Sequence, residues 1–225
     1  MKKPEDAYHH GDLKSSLVEE ALRVIRREGL DAFSLREVAR RVGVSANAAY
    51  RHFEDKDALL GAVAAHGLGL LSRRMREAME AVTTRGAGPR AVAHLRATGR
   101  AYVEFALAEP ELFRVTFGRQ AAPPGPDERC ANGEPDPYAV LGACLDAMVA
   151  AGVLPAERRP GAELGAWTTV HGYASLAIVG GPLASPEPLE LVLDFVLDGL
   201  TGATSRGAPR RASRAAGARA PRRKR

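Results

Sequence analysis

Asn47 and Arg51 stand one helical turn apart in the segment Ser45-Ala46-Asn47-Ala48-Ala49-Tyr50-Arg51, and an amide and a guanidinium at that spacing can read base edges. In a major groove an Asn pairs with adenine and an Arg with guanine, each bidentate contact contributing roughly 1–3 kcal/mol of discrimination. Ser45, Ala46 and Ala48 beside them are small, which lets a helix backbone approach DNA closely. Tyr50, His52 and Lys56 suit phosphate oxygens instead: a phenol, an imidazole and an ammonium can fix register without reading sequence.

Such side chains need a short helix held against a groove, and the preceding residues supply one. Leu35, Val38 and Ala39 fall at i, i+3 and i+4 and form one apolar face, while Arg36, Arg40 and Arg41 project elsewhere. Ser34 is a natural N-cap, Gly43 a left-handed helix stop, and Ser45 the cap of a second helix expected to run through Tyr50 to Phe53. Three residues, Val42 to Val44, separate the helices, a turn short enough to force a steep crossing, the second helix entering a major groove while the first spans the backbone. From Leu13 to Glu28 helical spacing of Leu13, Leu17, Ala21, Leu22, Val24 and Ile25 predicts the helix that packs behind this pair, ended by Gly29.

Together with the lead-in Tyr8-His9-His10-Gly11-Asp12-Leu13 and the run Tyr50-Arg51-His52-Phe53-Glu54-Asp55-Lys56 followed by Leu59-Leu60, this segment resembles the TetR family of bacterial transcription regulators over residues 8 to about 66. The resemblance implies DNA contacts at Ser34, Arg36, Ser45, Ala46, Asn47, Tyr50, Arg51, His52 and Lys56. Ala46 and Ala48 stand where relatives often carry longer polar residues, so the operator sequence is not inherited with the motif.

The 225 residues, 45% of them hydrophobic, suffice for a real core, and with 5% aromatic residues and short β-branched runs they point to an all-α protein. No apolar stretch reaches the roughly 18 residues of a membrane span, and the charged N-terminus leads into no signal-peptide core, so a cytoplasmic location is expected. The net charge of +5 resides in the tail: residues 204–225 hold nine Lys or Arg and no acid, leaving 23 basic against 27 acidic residues before them, about −4. A Gly/Ala/Pro-rich basic segment cannot bury apolar surface, so it is expected to be disordered and to add salt-sensitive phosphate attraction, or simply solubility.

Three regions follow: a DNA-binding domain at 1–56, a helical effector-binding and dimerisation domain at 57–203, and the basic tail at 204–225. A long helix from Asp57 to about Glu80 should link the first two, its Gly61, Gly67 and Gly69 marking close packing or a joint. Thr83 to Pro89 reads as a loop, 90–108 as helix, 110–118 as a short helix started by Pro110 and stopped by Gly118, 119–137 as an exposed Pro-rich loop, and 138–151 as helix again. The last two helices, about 161–180 and 186–200, are split by Gly180-Gly181-Pro182 and form an antiparallel pair. Trp167-Thr168-Thr169-Val170-His171-Gly172 resembles the C-terminal domain of a subgroup often called WHG, over roughly residues 90–200. In that family the terminal pair builds a two-fold four-helix bundle with a second subunit, and the resemblance implies a homodimer; Leu189, Val192, Leu193, Val196 and Leu197 offer the apolar face.

A small-molecule effector would lie between these helices, and Tyr102, Phe105, Phe113, Phe117, Met148, Trp167 and His171 are the candidates to meet it. Aromatics at helical spacing equally fill a core, and His171 can either donate one hydrogen bond to an effector or satisfy a backbone carbonyl. Few of these residues are charged, which favours a hydrophobic or neutral effector. An enzyme finds no support: there is no phosphate loop, GxSxG or HExxH, Cys130 and Cys144 have no metal-ligand spacing, and no catalytic residue, metal or cofactor is expected. The expectation is a ligand-responsive repressor that binds a palindromic operator as a homodimer; the alternative is a non-specific DNA binder driven by the tail.

Overall fold

The computed structural model describes residues 10–30, 33–118, 133–181, 183 and 185–202. The tail at 204–225, Cys130, the lead-in residues Tyr8 and His9 and most of the Pro-rich loop lie outside them. Within these residues the chain folds into nine α-helices: α1 His10–Glu28, α2 Leu35–Val42, α3 Ala46–Tyr50, α4 Lys56–Glu80, α5 Ala87–Ala108, α6 Pro110–Thr116, α7 Pro137–Ala150, α8 Ala162–Ala177 and α9 Pro186–Thr201. A single 3₁₀ turn, Ala156–Arg158, joins α7 to α8.

Local chemistry sets the boundaries. The Glu37 amide donates to the Ser34 hydroxyl at 3.2 Å, and the Ala48 amide donates to that of Ser45 at 3.2 Å. The Asp55 carboxylate accepts from the Ala58 amide at 2.7 Å, and each such cap stabilises its helix by about 1 kcal/mol. Gly43 ends α2 at φ +84°, and the Gly43 and Val44 amides turn back to carbonyls of the last turn, a stop that residues with a Cβ seldom adopt. α5 begins three residues earlier than the composition of 83–89 predicts: Pro89 sits in its first turn, where the missing amide is no loss.

Leu17, Ile25, Leu35, Val38, Ala49, Phe53, Leu59 and Leu60 form one core that ties α1–α3 to the start of α4. α4, about 37 Å long at 1.5 Å per residue, then runs on against α5, α6 and α7. Gly67 explains part of its glycine content: a Cβ there would stand 2.0 Å from Thr116 Oγ1, so α4 and α6 meet without a side chain between them. α1 also reaches α6, and Arg26 donates two hydrogen bonds, 2.8 and 3.0 Å, to the Glu109 carboxylate at the α5–α6 corner. A second core, with Leu95, Cys144, Leu145, Met148, Leu154, Leu197 and Leu200, lies at the far end between α5, α7, α8 and α9. No buried side-chain nitrogen or oxygen of the described residues is without a hydrogen-bond partner.

Candidate functional site

Ser34, Arg36, Ser45, Asn47, Tyr50, Arg51 and Lys56 are all exposed, and Ala46 and His52 half-exposed, on the side formed by α2, α3 and the start of α4. α3 is shorter than its sequence suggests, ending at Tyr50, but Arg51 keeps helical angles (φ −72°, ψ −22°), so it remains one turn beyond Asn47 on the same face. The cations are sorted by their partners. Glu37 takes Arg40 at 2.7 and 2.9 Å and Arg41 at 2.7 Å, and Arg41 also holds Glu28 of α1. Hydrogen bonds from Arg40 and then Arg41 hold the Glu37 carboxyl at about 2, so it stays charged at any ordinary pH. Arg36 and Arg51, both exposed, take no part in this network of Glu28, Glu37, Arg40 and Arg41. The Lys56 ammonium rests 5.5 Å from the centre of the Phe33 ring at the N-terminus of α4, a placement from which it can reach a phosphate.

Five of the seven candidate effector residues come together in the C-terminal half. The Tyr102 hydroxyl lies 2.7 Å from His171 Nδ1, and the His171 ring stands 5.4 Å from Phe113, 5.0 Å from Phe117 and 5.2 Å from Trp167. Burial pushes the Tyr102 phenol far up, only partly offset by hydrogen bonding from Trp167, and burial pushes the His171 imidazolium down. Both partners are therefore neutral, and the direction of their hydrogen bond is set by the imidazole tautomer. Phe105 is fully buried at the edge of this group, with the Arg74 guanidinium 5.5 Å from its ring, and is core.

Met148 lies apart: it is fully buried in the second core and joins none of these rings. Its helix, α7, is apolar nearly all round, so spacing alone does not tell which end of the bundle a residue fills.

Beside the aromatic group is a cavity of about 40 Å³ whose walls include Tyr102 and Trp167 but none of the other five candidates. Its walls also include Met75 of α4, Leu95, Thr98 and Gly99 of α5, Pro137 and Leu141 of α7, Ala166 and Val170 of α8 and Leu193, Val196 and Leu197 of α9. Its one charged neighbour, Arg96, is paired with Glu190 and Asp194 of α9.

The residues expected to face a second subunit pack largely within their own chain. Leu189, Leu193, Val196 and Leu197 are all buried within their own chain, three of them against the cavity, and Val192 is half-buried. The most exposed large apolar residues are Leu191 (70% exposed) and Phe195 (75%) on the opposite face of α9, with Leu164, Leu176 and Val179 on or just after α8. The i, i+4 spacing of Leu191 and Phe195 was the available signal; it is overshadowed because α9 is apolar on both faces.

A capped three-residue turn between two helices, with a polar face of Asn47, Arg51 and exposed cations in front and a long helix leading into a separate bundle, defines a helix-turn-helix DNA-binding protein. The family model "Bacterial regulatory proteins, tetR family" matches residues 17–63, and "Tetracyclin repressor-like, C-terminal domain" matches residues 95–200, together about two thirds of the chain. The protein belongs to the TetR family of DNA-binding transcription regulators. A protein of unknown function from Rhodococcus sp. RHA1 is 31% identical, with a TM-score of 0.68 over 88% of this chain and 100% of that one. A TetR family regulator from Marinobacter aquaeolei VT8 shares the fold at 18% identity, TM-score 0.57, over 83% and 94% of the two chains. A variant TetR from Acinetobacter baumannii AYE in complex with minocycline does so at 21% identity, TM-score 0.55, over 84% and 94%. No protein of curated function matches the chain.

Proposed function

We propose that the chain is a ligand-responsive repressor that binds a palindromic operator as a homodimer, two copies meeting through the exposed apolar face of α8 and α9. The observation that carries this reading is the pairing of an exposed Asn47–Arg51 face with large apolar side chains left in solvent at the other end of the chain, Leu164, Leu176 and Val179 on or just after α8 and Leu191 and Phe195 on α9. Burying a Leu or Phe side chain contributes about 1.5–3 kcal/mol, so five of them per subunit are a sufficient drive for association. Two-fold symmetry would then present two α3 helices to two half-sites.

The division at 1–56, 57–203 and 204–225, a cytoplasmic site of action and membership of the WHG-type subgroup belong to the same reading, the last supported by the contact of Trp167 with His171. The effector is hydrophobic or neutral, received by the cavity and the aromatic group beside it; the minocycline complex of the Acinetobacter relative supports an effector within this fold. An effector that prefers the DNA-incompetent form by about 1.4 kcal/mol lowers operator affinity tenfold. A second reading, non-specific binding through the tail, is favoured by the nine cations at 204–225 and predicts steep loss of binding with salt and with removal of those residues.

Sedimentation equilibrium tests the proposal: the wild type should be a dimer, and the Leu191→Asp, Phe195→Asp variant a monomer of unchanged helical content with strongly reduced affinity for duplex DNA. A wild-type monomer at micromolar concentration, or a variant that still dimerises, would contradict it.

A further inference from the structure

We propose that the cavity between α5, α7, α8 and α9 admits an uncharged, ring-sized apolar molecule only by displacing α9, so that occupancy weakens the association of two copies. This rests on the reading that Leu191 and Phe195 form the surface where copies meet.

Size is the first argument. An engineered apolar cavity of about 150 Å³ admits benzene. The cavity here is about 40 Å³, room for no more than a few waters, so a ring enters only if a wall moves. The walls are unequally supported. α5 is packed against α4, α6, α7, α8 and α9, and α8 against α5, α7 and α9; α9 packs chiefly on α8, with a smaller contact to α5. The outer face of α9 carries Leu191 and Phe195, 70% and 75% in solvent, and its C-terminal end is held by Arg158, which donates to the Gly199 carbonyl at 2.8 Å.

The seam between α9 and α5 is both tight and separable. Leu193 sits directly over Gly99, where a Cβ would approach its Cδ2 to 2.6 Å, and the same leucine lines the cavity. Outside it, Arg96 pairs with Glu190 and Asp194, and Arg100 with Glu190 at 2.6 Å. These side chains are a quarter to just over half exposed, and ion pairs so placed contribute little. Moving Leu193, Val196 and Leu197 outward carries Leu191 and Phe195 with them, because all five share one helix.

The walls also choose the ligand's charge. Thr98 donates its hydroxyl to the Leu95 carbonyl at 2.8 Å, the Tyr102 hydroxyl is committed to His171, and Arg96 is committed to two carboxylates. Nothing is left to neutralise an ionised group, and an unpaired charge is the costliest thing to bury there. Linkage then makes the coupling reciprocal: a ligand that weakens association binds more weakly to the associated form.

The test uses the full chain with cyclohexanol as the neutral probe and cyclohexanecarboxylate as its charged counterpart. Trp167, the only tryptophan, lines the cavity and reports occupancy by fluorescence, while sedimentation equilibrium gives the dimer dissociation constant. We expect a saturable fluorescence change with cyclohexanol and none with the anion at equal concentration. At saturation the dissociation constant should rise on the order of fivefold. Ala166→Val, which adds two carbons to the cavity, should abolish both responses, and Val170→Ile, which adds one, should weaken them if the first variant does not fold. Equal binding of the anion, absence of a saturable change, or saturation with an unchanged dissociation constant overturns the proposal. A chain that is monomeric before any probe is added refutes the association reading itself, whereas a dimer indifferent to saturating cyclohexanol refutes only the coupling.

Discussion

The Tyr102 hydroxyl and Nδ1 of His171 share a hydrogen bond of 2.7 Å, joining α5 to α8 in the middle of an aromatic group. Tyr102→Phe leaves Nδ1 of His171 without its partner and should lower unfolding free energy by about 1–3 kcal/mol. His171 also gives stability a pH dependence. Burial depresses its folded-state pKa below the ordinary value of 6.5, so the native state binds fewer protons than the unfolded chain. The stabilisation is present above pH 6.5 and is lost as pH falls below it. His66 on α4 acts in the same sense, from burial first and then from Arg26 and Arg73, so the informative quantity is the difference between wild type and His171→Gln. Urea midpoints between pH 7.5 and 5.5 should fall less steeply in the variant; parallel slopes would count against a neutral, buried imidazole.

The helix-turn-helix was legible because its signals are local. Ser34, Gly43 and Ser45 lie within twelve residues and each sets a backbone condition that needs no distant partner. Only the end of α3 differs from expectation, at Tyr50 rather than Phe53, because Phe53 turns into the core, 4% exposed, and ends the reading face there. The C-terminal half was less legible for the opposite reason. α9 carries Leu189, Leu193, Val196, Leu197 and Leu200 inward and Leu191 and Phe195 outward, and a helix apolar on both sides does not say which face a subunit keeps for itself. Gly99 and Thr98 line the cavity, yet neither residue type signals a binding site in a sequence.

Gly67 is predicted to be intolerant of a side chain. Alanine there gains about 1 kcal/mol of helix propensity, but its Cβ would overlap Thr116 Oγ1 at 2.0 Å and crowd Leu112 Cδ1 at 3.3 Å, and overpacking costs about 1–3 kcal/mol. Gly67→Ala should therefore destabilise, and adding Thr116→Ala should recover most of the loss. Chemical denaturation of the two variants decides it; a stabilised single variant would show that α4 and α6 are not held this closely.

The pair of Arg26 and Glu109 spans from α1 to the α5–α6 corner with side chains 41% and 18% exposed. At that exposure a double-mutant cycle with Arg26→Ala and Glu109→Ala should give a coupling of up to about 1 kcal/mol, declining between 0.05 and 0.5 M salt. A coupling of about 3 kcal/mol that ignores salt would place the pair out of water's reach.

Arg51 and Lys56 are assigned different work on DNA, and their alanine variants should separate. Arg51→Ala should relax preference at one base position by about 1–3 kcal/mol, while Lys56→Ala should weaken every duplex about equally and flatten the salt dependence by roughly one phosphate contact. Competition binding with matched and single-mismatch duplexes distinguishes them. Indistinguishable specificity profiles would remove the distinction between reader and anchor.

Selection from random duplex DNA at near-physiological salt tests the central claim most directly, run with the full chain and again without residues 204–225. A sequence-reading dimer predicts an enriched palindrome, its half-sites spaced by about one helical turn or a multiple, unchanged by removal of the tail. Folded protein that enriches no sequence, or whose binding disappears with the tail, would contradict it.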